Sequence, residues 1–485
     1  MHWSEKYDLV IGLEVHVQLD LLTKAFAPES NALETNPNVS ISPVSLALPG
    51  ALPVLNHHYL DAAVRLGLAF DAEIQPECFF DRKHYFYADL PKGYQITQDR
   101  APFCIGGIIK TFIGDKIRPV KLHHIHMEED AGKSIHDLNP QYTFLDFNRA
   151  GTPLLEIVTD PDLHTAEEVS ACIDAVQQMV QYLSISTADM EKGMLRCDCN
   201  VSLKPQGSPV LGTRCEIKNL NSKRYARKAI AAEIKRQIKI LDSGGEIEAM
   251  TMSYEVKTDR NVPIRDKESV HDYRYFPEPD LPVFKITKEK IEACKNKLPQ
   301  LPEIYFHRFT KHFQIDPKHA LLFMNTETEA SFVDSFLQWT NEPKVLANMY
   351  IQKVRSWLSD HQWSFDLINK KKEQMISYTE LVASGDISAS SAMQNVLPVI
   401  LDQDIADVRL FAEDQGLIVH ADHSVIESDI QDILAHFPDK VKAYQSGKKG
   451  LIGFFMGELM RRSTQKPDPA IAKSKLEALL AQSNG

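Results

Sequence analysis

From Ile11 to Leu19 apolar and polar residues alternate. Ile11, Leu13, Val15, Val17 and Leu19 occupy the odd positions, and Gly12, Glu14, His16 and Gln18 lie between them. A repeat of two predicts a β-strand with one face in a core, and the β-branched residues suit it. The polar face carries a carboxylate, an imidazole and a carboxamide in a row. Gly12 permits close approach to the backbone.

Further elements follow from the same kind of pattern. Prolines at 37, 43, 49 and 53 exclude helix from Asn36 to Pro53. Tyr59 to Leu68 is a short helix candidate. Asp81 to Gln98 is dense in aromatic and polar residues around a Pro91-Lys92-Gly93 turn. Thr165-Ala166-Glu167-Glu168 is a capping box, and behind it Val169, Cys172, Ile173, Val176, Met179, Val180 and Leu183 recur at helical spacing. A second helix runs from about Ser222 to Leu241 and stops at Gly244-Gly245. Asp272 to Pro282 holds three prolines and predicts an extended segment at the end of a domain. From about 290 onward strand patterns give way to amphipathic helices. One starts with a capping box at Ser424 and carries Ile426, Ile430, Ile433, Leu434 and Phe437 on its apolar face. Strands followed by helices predict an α+β protein with separate domains.

Composition narrows the class. A chain of 485 residues exceeds one core. Its formal net charge of −12 excludes general attraction to nucleic acid, so any RNA contact rests on local basic patches. One such patch lies between Lys440 and Lys466, where Glu458 is the single acid among seven basic residues. Another is the helix from Ser222, with Lys223, Arg224, Arg227, Lys228, Lys235, Arg236 and Lys239. Seven scattered cysteines fit a reducing compartment better than a disulfide framework. No secretory signal and no membrane-spanning run is seen, which leads to the expectation of a cytoplasmic protein.

Candidate chemistry concentrates at His123-His124-Ile125-His126-Met127-Glu128-Glu129-Asp130-Ala131-Gly132-Lys133-Ser134. Three successive carboxylates repel unless a cation neutralises them, and a hard ion such as Mg²⁺ suits them. The Gly132-Lys133-Ser134 ending lacks the first glycine of a P-loop, since Met127 stands there. Neither the histidines nor Cys197-Asp198-Cys199 with Cys215 has the spacing of a structural zinc site. Arg149 and Glu156 flank a Gly-Thr-Pro turn. Arg196, Asp198 and Asn200 share one face of a strand, as do Arg214, Glu216 and Lys218. Strands with acidic and basic polar faces predict a sheet whose polar side is a site. Carboxylates for a metal and cations for phosphate are what phosphoryl transfer requires.

Five motifs occur in order: Gly12-Leu-Glu-Val-His-Val-Gln-Leu, His126-Met-Glu-Glu-Asp-Ala-Gly-Lys-Ser, Asp146-Phe-Asn-Arg-Ala-Gly-Thr-Pro-Leu-Leu-Glu-Ile, Glu216-Ile-Lys-Asn-Leu-Asn-Ser and Asp272-Tyr-Arg-Tyr-Phe-Pro-Glu-Pro-Asp-Leu-Pro. They closely resemble the B subunits of aspartyl/glutamyl-tRNA amidotransferases. The resemblance covers residues 1 to about 282. The Gly-rich basic stretch from Gly447 to Arg462 is similar to that family's helical tail. The resemblance implies an N-terminal antiparallel sheet with helices, of the glutamine synthetase and guanidino kinase type, over residues 1–290. An all-α domain at 291–405 and a tRNA-binding helical tail at 406–485 would follow. It implies an ATP- and Mg²⁺-dependent ligase that phosphorylates the side-chain carboxylate of Asp or Glu mischarged on tRNA. Ammonia then displaces the phosphate to give the amide. By the same resemblance Glu14, His16, Glu128 and Glu129 surround Mg²⁺ and the transferring phosphate, and Lys83 with Glu129 sits where ammonia arrives. Glu216 is a further candidate. Arg149, Lys218 and Arg274 are candidates for phosphate or tRNA-terminus contact. Ammonia has to come from an amidase subunit, with a small third subunit completing the complex. Relatives that carry a Cys-x-Cys pair after the first strand differ here, where Lys24-Ala25-Phe26-Ala27-Pro28 stands. No zinc is expected at that place.

Overall fold

The computed structural model describes residues 3–34, 36–264, 273–403, 405–418, 423–462 and 469–482. The chain forms two compact units. One comprises residues 1–307 with 321–327, and the other comprises 308–320 with 328–485.

The first unit is built on a ten-stranded sheet. Its strands and helices, in chain order, begin with β1 (Tyr7–Gln18), α1 (His57–Ala69), β2 (Asp81–His84), β3 (Tyr94–Thr97), β4 (Ile108–Ile113) and β5 (Lys116–Glu129). They continue with β6 (Pro153–Thr159), α2 (Ala166–Tyr182), β7 (Leu195–Pro205), β8 (Cys215–Leu220), α3 (Lys223–Asp242), β9 (Met250–Glu255) and β10 (Arg260–Pro263). The order across the sheet is β10-β9-β8-β7-β1-β6-β5, continued by the short strands Cys104–Ile105 and Glu73–Ile74, with β4 also on β5. The small β2–β3 hairpin lies outside this sheet and pairs with Phe276–Pro277.

β1 occupies the middle. It pairs antiparallel with β7 along its length and with β6 over its second half. Leu13, Val15 and Val17 are fully buried, as are Ile157 on β6 and Val201 on β7. Residues of α1 (Ala63, Leu66), α2 (Val169, Ile173, Val176) and α3 (Ala226, Ile230) join them in one core. The helices start where the sequence marks them. The Asn56 side chain accepts from the His58 N–H at 2.9 Å, Thr165 Oγ1 from the Glu168 N–H at 3.0 Å, and Ser222 Oγ from the Tyr225 N–H at 3.2 Å. Cys172 is buried in the core, as its helical spacing predicts.

The expected antiparallel sheet is corrected to a mixed one, because β8 and β9 run parallel. α3 lies between them in the chain and returns it to the same end of the sheet, so the second strand repeats the direction of the first. The first unit also continues past residue 290. A helix at Lys288–Lys295 buries Cys294 against the sheet core, with Ile291, Leu298 and Leu301 packed beside it.

The second unit is helical. Ile430, Ile433, Tyr444, Phe455, Leu459, Ala472, Leu476 and Leu480 form a core between its last helices, with Leu434 and Phe437 against it. The side chains of Ser424 and Ile426, and residue Asp272, lie outside the described residues. Among the described residues no helix is long and apolar enough to cross a membrane. All seven cysteines are buried and unpaired.

Leu13→Ala removes a fully buried side chain from the central strand and is expected to cost about 2–5 kcal/mol in equilibrium urea unfolding. Leu22→Ala, at a residue 90% exposed, is expected to change stability by less than about 0.5 kcal/mol.

Candidate active site

The register of the central strands decides what the polar face displays. His16 lies opposite Glu156 of β6 on one side and Arg196 of β7 on the other. Glu156 in turn lies opposite His126 of β5. A single cross-strand row therefore reads His126, Glu156, His16, Arg196. Two residues along β1, Glu14 faces Asp198, and Asn200 of β7 faces Glu216 of β8. Directly opposed side chains on one face are near neighbours, so β-pairing alone assembles these groups.

A cleft of about 280 Å³ opens over this face. Its walls include His16, Lys83, Tyr85, Glu128, Asp130, Arg149, Glu156, Arg196, Asp198 and Lys218. Two groups of potential ligands stand on the sheet. His16, Glu128 and Glu156 form one, and Glu14, Asp198 and Glu216 form the other. Within each, one donor atom per residue lies within 4.8 Å of the others. His16 Nε2 is 3.1 Å from Glu156 and 3.8 Å from Glu128. His126 Nε2 bridges the same two carboxylates at 3.2 and 3.5 Å. His126 also abuts His124, with ring nitrogens 3.1 Å apart, and His124 abuts the exposed His123.

The charges explain the titration. Burial alone lowers a histidine pKa, but the Glu156 and Glu128 carboxylates together outweigh it and hold His16 at about 9 and His126 at about 10. Burial raises a carboxyl, yet the two imidazolium charges hold Glu156 well below its usual range. Glu14 goes the other way. Burial and the neighbouring Glu156 raise it, although Asn200 donates to it at 2.8 Å. Its group of three carboxylates meets Lys218, 2.8 Å from Glu216 and 3.8 Å from Asp198. Asp130 is buried. Burial raises its pKa, but the charges of Arg196, 2.6 Å away, and Arg149 hold it below the usual value, and Gln18 adds a hydrogen bond.

The structure brings together Glu14, His16, Glu128, Arg149, Glu216, Lys218 and Lys83 on or around this face, though not around one point. His16 and Glu128 belong to one ligand group, Glu14 and Glu216 to the other. Glu129 is placed elsewhere. Consecutive strand residues point to opposite faces, so Glu129 turns away from Glu128. There its carboxylate meets the Lys92 ammonium and the Ile96 N–H. Lys83 lines the cleft and stacks its ammonium 4.8 Å from the Tyr273 ring, so the lysine beside Glu129 is Lys92. The Arg149 guanidinium donates to the carbonyls of Ala131 and Gly132. Arg274 is exposed, and its carbonyl lies beside His84 rather than in the cleft wall.

Sequence reasoning placed Glu156, Asp198, Arg196, Asp130 and His126 in polar stretches around the site but gave none of them a ligand or catalytic role. The signal for Asp198 and Arg196 was their shared strand face. Glu156 was a lone acid in an apolar strand, and a charge there needs a partner.

A sheet whose polar face gathers carboxylates, imidazoles and cations beneath one cleft has the layout of a catalytic domain. Residues 9–292 match the family model of the GatB/GatE catalytic domain, and residues 331–480 match that of a GatB domain. The aspartyl/glutamyl-tRNA(Asn/Gln) amidotransferase B subunit of Persephonella marina is 38% identical over 476 residues, spanning 98% of this chain and 100% of that one. The same-named proteins of Chlorobium phaeobacteroides and Salinibacter ruber are 40% and 38% identical over 98% of this chain, spanning 100% and 97% of their own lengths. The chain belongs to the family of aspartyl/glutamyl-tRNA(Asn/Gln) amidotransferase B subunits. These are ligase subunits that work within a complex.

A histidine whose pKa is raised by folding binds its proton more tightly than the unfolded chain does. Its stabilisation is complete below pH 6.5 and is lost as pH rises through about 9 for His16 and about 10 for His126. Glu156→Gln removes that stabilisation. Its destabilisation relative to wild type is therefore expected to be larger near pH 6.5 than at pH 10, as urea unfolding at the two values measures.

Proposed function

We propose that this chain activates the side-chain carboxylate of Asp or Glu carried on a mischarged tRNA by ATP-dependent phosphorylation. Ammonia from a partner amidase subunit then displaces the phosphate and leaves Asn or Gln on the tRNA. The observation that carries this reading is the pair of carboxylate-rich ligand groups on one polar sheet face, bordered by Arg196, Lys218, Lys83 and Arg149. Hydroxide is a poor leaving group from a carboxylate and phosphate a good one, which is why amide formation needs this activation. Family membership supports the tRNA substrate, since the relatives' names state it.

The donor set fits Mg²⁺. Five of its six ligands are carboxylates, and the acidic group around Glu14 is short of positive charge. Hard oxygen donors suit this ion. His16, on giving up its proton, would hold one ion with Glu128 and Glu156, and Glu14, Asp198 and Glu216 would hold another. When bound, such ions neutralise phosphate oxygens and polarise the transferred group. The chain's own residues do the rest. Lys218 and Arg196 place positive charge beside the two groups and offset charge on the transferring phosphoryl. Arg196 and Gln18 fix the buried Asp130 carboxylate at the cleft wall. Tyr85 and Lys83 cover the cleft from the hairpin side, where the acyl group and ammonia have to meet. Glu129 with Lys92 lies on the reverse of the same strand, outside the cleft.

The first unit is, in this reading, a kinase-like cradle of the glutamine synthetase and guanidino kinase type. The second, helical unit ends in the tail, residues 406–485, which binds tRNA. A small third subunit completes a cytoplasmic complex. Lys440, Lys448, Lys449, Arg461 and Arg462 supply the tail's cations on an otherwise acidic chain.

In the assembled complex, Glu128→Ala is expected to lower ATP-dependent amidation of Asp-tRNA or Glu-tRNA at least about a hundredfold, as read by the amide formed on tRNA. Wild-type activity in this variant would remove Glu128 from the site. Deletion from residue 406 onward is expected to weaken tRNA binding in a filter or gel-shift assay while ATP hydrolysis persists. Unchanged binding would refute the role of the tail.

A further inference from the structure

We infer that Tyr59 is a positioning residue for the site: from the helix-covered side of the sheet, its hydroxyl sets the backbone at Glu128 and thereby the His16–Glu128–Glu156 group. This inference rests on the metal reading above.

The geometry is specific. Tyr59 is on α1, fully buried, with its ring edge against Phe26. Its hydroxyl lies between β5 and β6 at the one pair where Glu128 faces Leu154. It accepts the Glu128 N–H at 2.7 Å, lies 2.8 Å from the Glu128 carbonyl, and also meets the Leu154 carbonyl. One phenol thus accepts a backbone N–H of β5 and places its single proton between a carbonyl of β5 and one of β6.

The location matters because the phenol sits where the Glu128 and Leu154 backbone groups face each other. The neighbouring pair, Glu129 with Pro153, is a non-hydrogen-bonded one: the Glu129 carbonyl turns to Gln95 and the Pro153 carbonyl to the Leu19 N–H, and the next bond between the two segments is Asp130 N–H to the Thr152 carbonyl at 2.9 Å. On its other edge, β5 at this end is held by side chains. Gln98 accepts the Met127 N–H at 3.0 Å, and Gln95 donates to the Glu129 carbonyl at 2.8 Å. Glu128 itself receives a 3.4 Å contact from Thr97 Oγ1. The segment that bears a proposed ligand is therefore held by side chains on its outer edge, and Tyr59 adds its hydroxyl on the β6 side. Groups that orient metal ligands from behind typically change metal affinity 10–100-fold when lost.

The test compares wild type, Tyr59→Phe and a control, Val176→Ala, in the full-length chain. Tyr59→Phe keeps the ring. Val176→Ala trims a fully buried residue of the same core on α2. Mn²⁺ binding is measured by electron paramagnetic resonance and calorimetry, and stability by urea unfolding. The expected result is that Tyr59→Phe weakens Mn²⁺ at the His16 group about tenfold and leaves binding at the Glu14 group unchanged. Val176→Ala should bind Mn²⁺ as wild type does, whatever its loss of stability. Wild-type Mn²⁺ affinity in Tyr59→Phe overturns this inference alone. Equal weakening in Val176→Ala overturns it as well, because the effect would then be general loosening. A wild-type chain that binds no Mn²⁺ overturns the metal reading and this inference with it.

Discussion

The register of β1 between β6 and β7 is the constraint on which the rest depends. Burial of its odd-numbered side chains leaves no choice of face. A slip of one residue would drive Glu14, His16 and Gln18 into a core of Leu, Ile and Val. With the register fixed, every polar group opposite β1 is fixed too. Glu156 and Arg196 meet His16, and Asp198 meets Glu14. The site is thus a by-product of packing on the other side of the sheet, and the helices that cover that side stabilise the chemistry without touching substrate.

Electrostatics makes the same face costly and useful. Two imidazoles share Glu156 and face Glu128 as well, and with Arg196 beside them that row carries positive charge of its own. The neighbouring row of Glu14, Asp198 and Glu216 meets one lysine and is left acidic. A sheet that keeps like charges within 4.8 Å of one another holds a preference for cations in its ground state. The asymmetry between the rows separates a region with its own positive charge from one that draws charge from outside.

Much of this was legible in the sequence because its signals were local. The alternation at Ile11–Leu19 identified β1 and its polar face. Thr165 and Ser222 marked helix starts that the backbone obeys. The misses came from relations between distant segments. Glu128 and Glu129 look equivalent in a row of acids, and only strand direction and edge pairing send one to the cleft and the other to Lys92. Glu156 was noted only as an acid beside a Gly-Thr-Pro turn, and its meaning depended on two histidines in other strands. The parallel β8–β9 pair was hidden because a long helix between two short strands is compatible with either strand direction. Tyr59 gave no signal, since an aromatic on a helix face is usually packing alone.

The central place of β1 also bears on how the chain comes together. Its partners are far away in sequence; the contact of Leu13 with Thr159 alone spans 146 residues. Contacts of such separation form slowly, because the loop between them must first be closed. On the ribosome, where the N-terminal part emerges first, β1 has neither neighbour until the chain has passed β6 and β7. An alternating strand with two open edges is then an invitation to other strands. The segment that defines the site is made among the first and placed among the last, so the period between belongs to whatever shields it.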